Sequence, residues 1–147
     1  MAVTQSYEYD EKTRAPESDF NMLKGAEYVR LTTYRKTGVA VPTPVWFAIE
    51  HDAQGPRLVV MTQANSGKVK RLRHTARVEL APCDVRGNPI NDVRLNADGH
   101  ILPESEHQRA DKLLNAKYGW KKMAFMLMGR LRRTRLDYLE IRPATNA

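Results

Sequence analysis

The sequence predicts a mainly β protein, a small antiparallel barrel carrying one or two helices. Three observations lead there. Five or six short runs rich in Val, Ile, Thr and Tyr recur along the chain, each with the composition of a strand. Gly, Asn, Asp and Pro punctuate these runs at hairpin distances. Only two longer stretches switch to the spacing of an amphipathic helix. The 147 residues, 41% of them hydrophobic, suffice for one domain with its own core.

Residues 1–18 are polar and without periodicity. They read as a flexible N-terminal arm that orders against a partner subunit, leaving residues 19–147 as the single domain. Asp19 is placed to cap a short helix over residues 20–24, closed by Gly25. Residues 27–34 form the first strand, and Gly38 relaxes the turn after it. Residues 39–50 form the second. Pro42 and Pro44 remove ladder donors from it, so it belongs at a sheet edge or carries a bulge. Residues 57–62 make a third strand. Residues 65–74 change to helical spacing, with Val69 and Leu72 facing inward. Strands at 77–86 and 93–96 follow, the latter ended by Asp98-Gly99. From Pro103 a helix carries Ala110, Leu113, Leu114 and Tyr118 on one stripe, and Gly119 ends or kinks it. A second short helix covers 120–128, and a last strand covers 135–142, stopped by Pro143.

Charge narrows the partners. Twenty-four basic against 17 acidic residues give +7, which favours an anionic partner or simply a soluble basic surface. Cys83 is the only cysteine, so no intrachain disulfide forms. No basic-then-apolar leader opens the sequence, and the longest apolar run, residues 123–128, is far short of the ~20 residues that span a bilayer. A cytoplasmic protein with no membrane partner is the expectation. The four histidines lack metal spacing, and no nucleophile elbow, phosphate-binding loop or dinucleotide fingerprint occurs. Basic runs at 68–74, 121–122 and 130–135 could follow a nucleic-acid backbone, but no nucleic-acid motif accompanies them, and solvated faces account for them as well.

Two segments can carry chemistry. In the first, the strand ending at Thr62 leads through Gln63, Ala64 and Asn65 into a basic helix. Ser66 offers a hydroxyl, Gly67 permits close backbone approach, Lys68 adds a point charge, and Arg71 projects from nearly the same face. This is the pattern of a phosphate seat, and equally of a capped surface helix with Asn65 or Ser66 as cap. In the second, the prolines around Thr43, Pro44, Val45 and Trp46 free main-chain groups that can bond the edge of a planar heterocycle. An edge strand protected against aggregation has the same sequence.

At these segments the chain resembles the pyridoxamine 5'-phosphate oxidase superfamily of split barrels. The resemblance is closest to the branch of flavin and deazaflavin oxidoreductases that uses the deazaflavin coenzyme (F-420). It is carried by residues 28–34 (YVRLTTY), 35–47 (RKTGVAVPTPVWF), 61–72 (MTQANSGKVKRL), 77–84 (RVELAPCD) and 138–143 (YLEIRP). It implies a six-stranded split barrel that forms a homodimer with two cofactor sites at the interface. It further implies that Ser66 and Lys68 contact the cofactor phosphate, that Thr62 lines the same site, and that Thr43, Pro44, Val45 and Trp46 lie along the ring. Arg71 is added from helix spacing. The sequence departs from the vitamin oxidases themselves. Their FMN-gripping arginine and lysine fall near Pro42 and Phe47, and their C-terminal Arg-x-His is replaced by an end reading Arg142-Pro143-Ala144. The implied activity is hydride transfer from a deazaflavin or FMN cofactor to a planar conjugated small-molecule acceptor, with no catalytic side chain required and Trp46 or Tyr118 as an aromatic wall. A non-catalytic carrier or sensor of the same ligands would use the same residues, and a nucleic-acid binder would use the basic helix.

Overall fold

The computed structural model describes residues 20–127 and 135–144. The expected N-terminal arm, the Asp19 cap, the end of the second short helix at Met128 and the basic run at 130–134 lie outside the described residues.

Among the described residues, seven antiparallel strands make one sheet. They are β1 (Tyr28–Tyr34), β2 (Ala40–Val45), β3 (Phe47–Asp52), β4 (Gly55–Gln63), β5 (Arg77–Cys83), β6 (Leu95–Ile101) and β7 (Leu136–Pro143). Helix α1 (Gly67–Leu72) follows β4, while a short 3-10 turn (Glu104–Glu106), α2 (His107–Tyr118) and α3 (Trp120–Leu127) separate β6 from β7. The strand order is β2-β1-β5-β6-β7-β4-β3. Its two ends, β2 and β3, are consecutive in the chain and separated by Trp46 alone. A sheet whose opposite edges are covalent neighbours must curl round until they meet, and the result is a split barrel closed at Trp46.

The expected six strands become seven for this reason. The second strand does sit at an edge, as its prolines require, but it changes edges at Trp46 and so counts twice. The other corrections are local. Segment 20–25 is mostly turn, with Leu23 N–H donating to the Phe20 carbonyl (3.0 Å) and Gly25 at φ 88°. Strand β6 runs through Asp98-Gly99 to Ile101, because those residues pair with Arg142 and Ile141 of β7. The turn propensity of Asp-Gly yields to the ladder. Val93 and Arg94, expected to open that strand, precede it.

Two clusters fill the fold. The barrel interior packs Phe47, Leu31, Leu58, Val60, Leu80, Leu139 and Ile141, all 0% exposed, and α1 plugs one end with Val69 and Leu72. Helix α2 covers the outside of β3, β4 and β7 with Ala110, Leu114 and Tyr118 against Ala48, Val59 and Tyr138. Leu113 of the expected stripe is only partly buried at its margin.

Candidate functional site

The Ser66 hydroxyl caps α1, accepting from the Val69 N–H (3.4 Å) and from the Thr62 hydroxyl (3.2 Å). Asn65, the other candidate cap, takes φ 58° instead, a left-handed turn that Asn tolerates better than most residues. This turn swings the chain from β4 into the helix and leaves Lys68 beside the end of β4.

A cleft of about 330 Å³ opens there, where β2 ends and β4 ends. Pro44, Val45 and Trp46 line one side, and Thr62 and Lys68 the other. These are five of the eight residues expected from the sequence. Tyr28, Met61, Gln63 and Val85 complete the lining and were not anticipated. Tyr28 and Met61 carry a signal in retrospect, since each begins a segment that the sequence already singles out. Val85 lies in the loop after β5 and carries none.

The other three expected residues do not line the cleft. Thr43 pairs with Leu31 across β1 and β2, with its Oγ1 3.5 Å from the Leu31 carbonyl. It therefore shares the interior-facing side of the sheet while its proline neighbours face out. Ser66 acts as cap. Arg71 donates from Nε to the hydroxyl of fully buried Thr33 (2.6 Å), and its guanidinium folds back over Gly67. It thus supports the helix.

The electrostatics of this corner are lopsided. Burial lowers the Lys68 pKa, and the neighbouring Arg71 charge lowers it further. Arg71 is in turn perturbed by burial and by Arg35. No carboxylate of the described residues forms an ion pair with Lys68, Arg71 or Arg35. A partly desolvated cation beside like charges is relieved by an anion.

Trp46 is held as a rigid wall. Its ring stacks on Tyr118 with centroids 4.6 Å apart and planes within 15°. The Tyr118 hydroxyl accepts from the Phe47 N–H (2.9 Å) and lies 2.7 Å from the Glu27 carbonyl and 3.0 Å from that of Phe47. Tyr118 thus stands behind the cleft wall and pins the strand switch. The cleft can receive a planar ring against Pro44, Val45 and Trp46, with an anionic group reaching Lys68. Its described lining contains no His, Cys or carboxylate, and its ionisable side chains are Tyr28 and Lys68. The remaining candidates are remote or structural. Cys83 is buried, with its thiol pushed up to about 11 by desolvation and then Asp84. Among the basic runs, Lys122 is buried on Asp111 (2.7 Å), whereas Lys121 is solvent-exposed and pairs with exposed Glu27 (3.4 Å), so of residues 121–122 only Lys121 belongs to a solvated face. Among the described residues, no group of His, Cys, Asp and Glu is placed to hold a metal ion, and no helix is long and apolar enough to cross a membrane.

A family model described as pyridoxamine 5'-phosphate oxidase matches residues 18–145. The chain belongs to the pyridoxamine 5'-phosphate oxidase family. No curated protein matches it. Solved structures share the fold of this family member at low identity. A protein of unknown function from Agrobacterium tumefaciens superposes with a TM-score of 0.65 at 14% identity, over 91% of this chain. The chain spans only 57% of that protein's length. An FAD-binding protein from Mesorhizobium loti gives 0.59 at 14% identity, over 89% of this chain and 91% of its own. The heme storage protein HutZ of Vibrio cholerae gives 0.59 at 9% identity, over 89% and 92%. The same barrel of the pyridoxamine 5'-phosphate oxidase family is therefore similar to proteins with different ligands, and function has to be argued from the cleft.

Proposed function

We propose that this chain binds a flavin-type cofactor, the deazaflavin coenzyme or FMN, in the cleft between Trp46 and Lys68 and serves hydride transfer to a planar conjugated acceptor. One observation carries the reading: an apolar, aromatic-walled cleft ends on a partly buried ammonium that lacks a carboxylate. A ring system with a phosphate tail matches both halves of that surface. When bound, the cofactor supplies the redox chemistry. The chain's own residues have simpler tasks. Pro44, Val45 and Trp46 orient the ring and keep water from one face. Lys68 fixes the phosphate. Thr62, bonded to Ser66, sets the end of β4 against it.

The site is proposed to be completed by a second copy of the chain. A volume of about 330 Å³ lies at the lower end of pockets that enclose small ligands, roughly 300–1,000 Å³. Val85, at the rim, is 62% exposed, and Ile90 in the same loop is 59% exposed, which offers apolar surface for a partner. A carrier or sensor role, which would use the same residues, is the second reading, favoured by the likeness of the barrel to the heme storage protein HutZ.

Parallel fluorescence titrations with FMN and the deazaflavin coenzyme, followed by turnover with the reduced ligand and a quinone acceptor, test the proposal. The expected result is saturable binding of one ligand by a protein of two-chain mass, and acceptor reduction above the protein-free rate. Binding without turnover would move the reading to the carrier. Failure to bind either ligand would overturn it.

A further inference from the structure

A second cavity, of about 490 Å³, lies between the segment leading into β1 and the junction of α2 and α3. Gly25, Ala26 and Glu27 form one wall, and Lys117, Gly119, Trp120 and Lys121 the other. It sits on the far side of Tyr118 from the cofactor cleft, since Tyr118 lines this cavity while its stacking partner Trp46 lines the other.

Two features of this cavity suit it to a ligand. Trp120 is 76% exposed, the highest value among the exposed large hydrophobic residues described. An indole left in water at a cavity rim is unused apolar area. Lys117 is the second. Its Nζ donates to the Ala26 carbonyl (3.0 Å) and lies 3.4 Å from the centre of the buried Phe47 ring and 5.1 Å from that of Tyr118. The carbonyl and the ring faces hold a cation in place without neutralising it. No carboxylate of the described residues forms an ion pair with Lys117. Desolvation brings its ammonium down to about 8, and the Glu27 charge only partly opposes this. Lys121 pairs with Glu27 at 3.4 Å, so the charged lining is two ammonium groups and one carboxylate, a net positive site.

We propose that this cavity is a second ligand site, one that takes a planar aromatic carboxylate with its ring on Trp120 and its anionic group on Lys117. The site uses none of the residues of the cofactor cleft and stands independently of the function proposed for it. Gly119 ends α2 at a positive φ of 54°, between Lys117 and Trp120, which line the same cavity.

Two-dimensional amide and indole NMR of the full chain, titrated with 2-naphthoate and with neutral 2-naphthalenemethanol, tests this. A ligand of this size reaches a Kd of about 1 mM at ordinary efficiency. 2-Naphthoate is expected to shift the Trp120 indole and Gly119 amide signals saturably, and the neutral alcohol to bind about tenfold more weakly. Lys117→Met and, separately, the surface change Trp120→Ala are each expected to weaken 2-naphthoate about tenfold. Lys68→Ala is expected to leave its affinity unchanged. The inference is overturned by equal affinity for acid and alcohol, by shifts that map to Trp46 and Thr62 instead, or by the lack of saturable shifts up to about 10 mM ligand.

Discussion

Single hydroxyls hold much of the site together. Ser66 satisfies the Val69 N–H and accepts from the hydroxyl of Thr62, a residue only 8% exposed. Ser66→Ala removes a helix cap and the partner of a buried polar group. It is expected to lower stability by about 1 kcal/mol, read from the midpoint of urea unfolding. Tyr118 has a larger role, because its hydroxyl meets the backbone at the point where the chain changes sheet edges. Tyr118→Phe leaves the buried Phe47 N–H without its acceptor. It is expected to cost about 1–3 kcal/mol in the same measurement, with the ring stack on Trp46 retained. Residues at this scale were unequally legible. The cap was legible to within two residues, Asn65 or Ser66, because the signal lies within four residues of chain, and the left-handed backbone of Asn65 decides between them. The Arg71–Thr33 bond spans 38 positions, and helix spacing carries no signal of it.

Helix α1 is six residues long and too short to persist alone, so its docking decides whether Lys68 is positioned. Docking depends on Gly99 of β6. A Cβ added there would stand 3.2 Å from Leu72 and 3.3 Å from Val78, both core side chains. Gly99→Ala is therefore expected to push Leu72 and its helix outward by a few tenths of an ångström, cost about 1 kcal/mol by overpacking and weaken ligand binding in the Trp46–Lys68 cleft, whereas a change confined to stability would leave that binding intact. Gly99 also shows why one element was misread. Asp98-Gly99 has the composition of a turn, and only the pairing with β7 and the approach of Leu72 reveal a strand. The prolines of β2 were the opposite case. Their missing N–H groups forbid a central strand whatever the tertiary context, and the edge position followed. The switch at Trp46 has no comparable local cause. Closure of the barrel and the Tyr118 anchor impose it from residues 71 positions away or more.

The barrel as a whole is clamped by charge opposite its apolar core. Arg57, its side chain 4% exposed, joins Glu50 (2.9 Å) to Glu140 (2.8 Å), and Arg142 joins Asp52 (2.7 Å) to Glu140 (3.1 Å), linking β3, β4 and β7. Arg57→Ala would remove the buried centre of this network while leaving Glu50 to Arg109 and Glu140 to Arg142, and is expected to destabilise by about 1–3 kcal/mol. The clamp also sets an acid limit. The Arg142 hydrogen bond holds Asp52 well below the usual carboxylate range, outweighing its burial. Burial works against ionisation of Glu50, yet hydrogen bonds from Arg109 and Arg57 keep it lowered too. Carboxylates lowered in the folded state release protons that the unfolded chain retains. Their stabilisation is therefore complete above the unfolded values, near 4, and is lost as pH falls through the folded ones. The urea midpoint is expected to be lower at pH 3 than at pH 7. At this scale the barrel class was legible from strand and turn chemistry. Part of the cleft was not, because Tyr28, Met61, Gln63 and Val85 meet only once the sheet has curled. The central claim is that Lys68 seats the phosphate of a planar cofactor, and equilibrium binding tests it most directly. Whichever of FMN and the deazaflavin coenzyme binds is compared with its phosphate-free ring system, on wild type and on Lys68→Ala. The account expects the variant to lose about tenfold or more in affinity for the phosphorylated ligand and nothing for the bare ring. An equal loss for both ligands, or no loss for either, would contradict it.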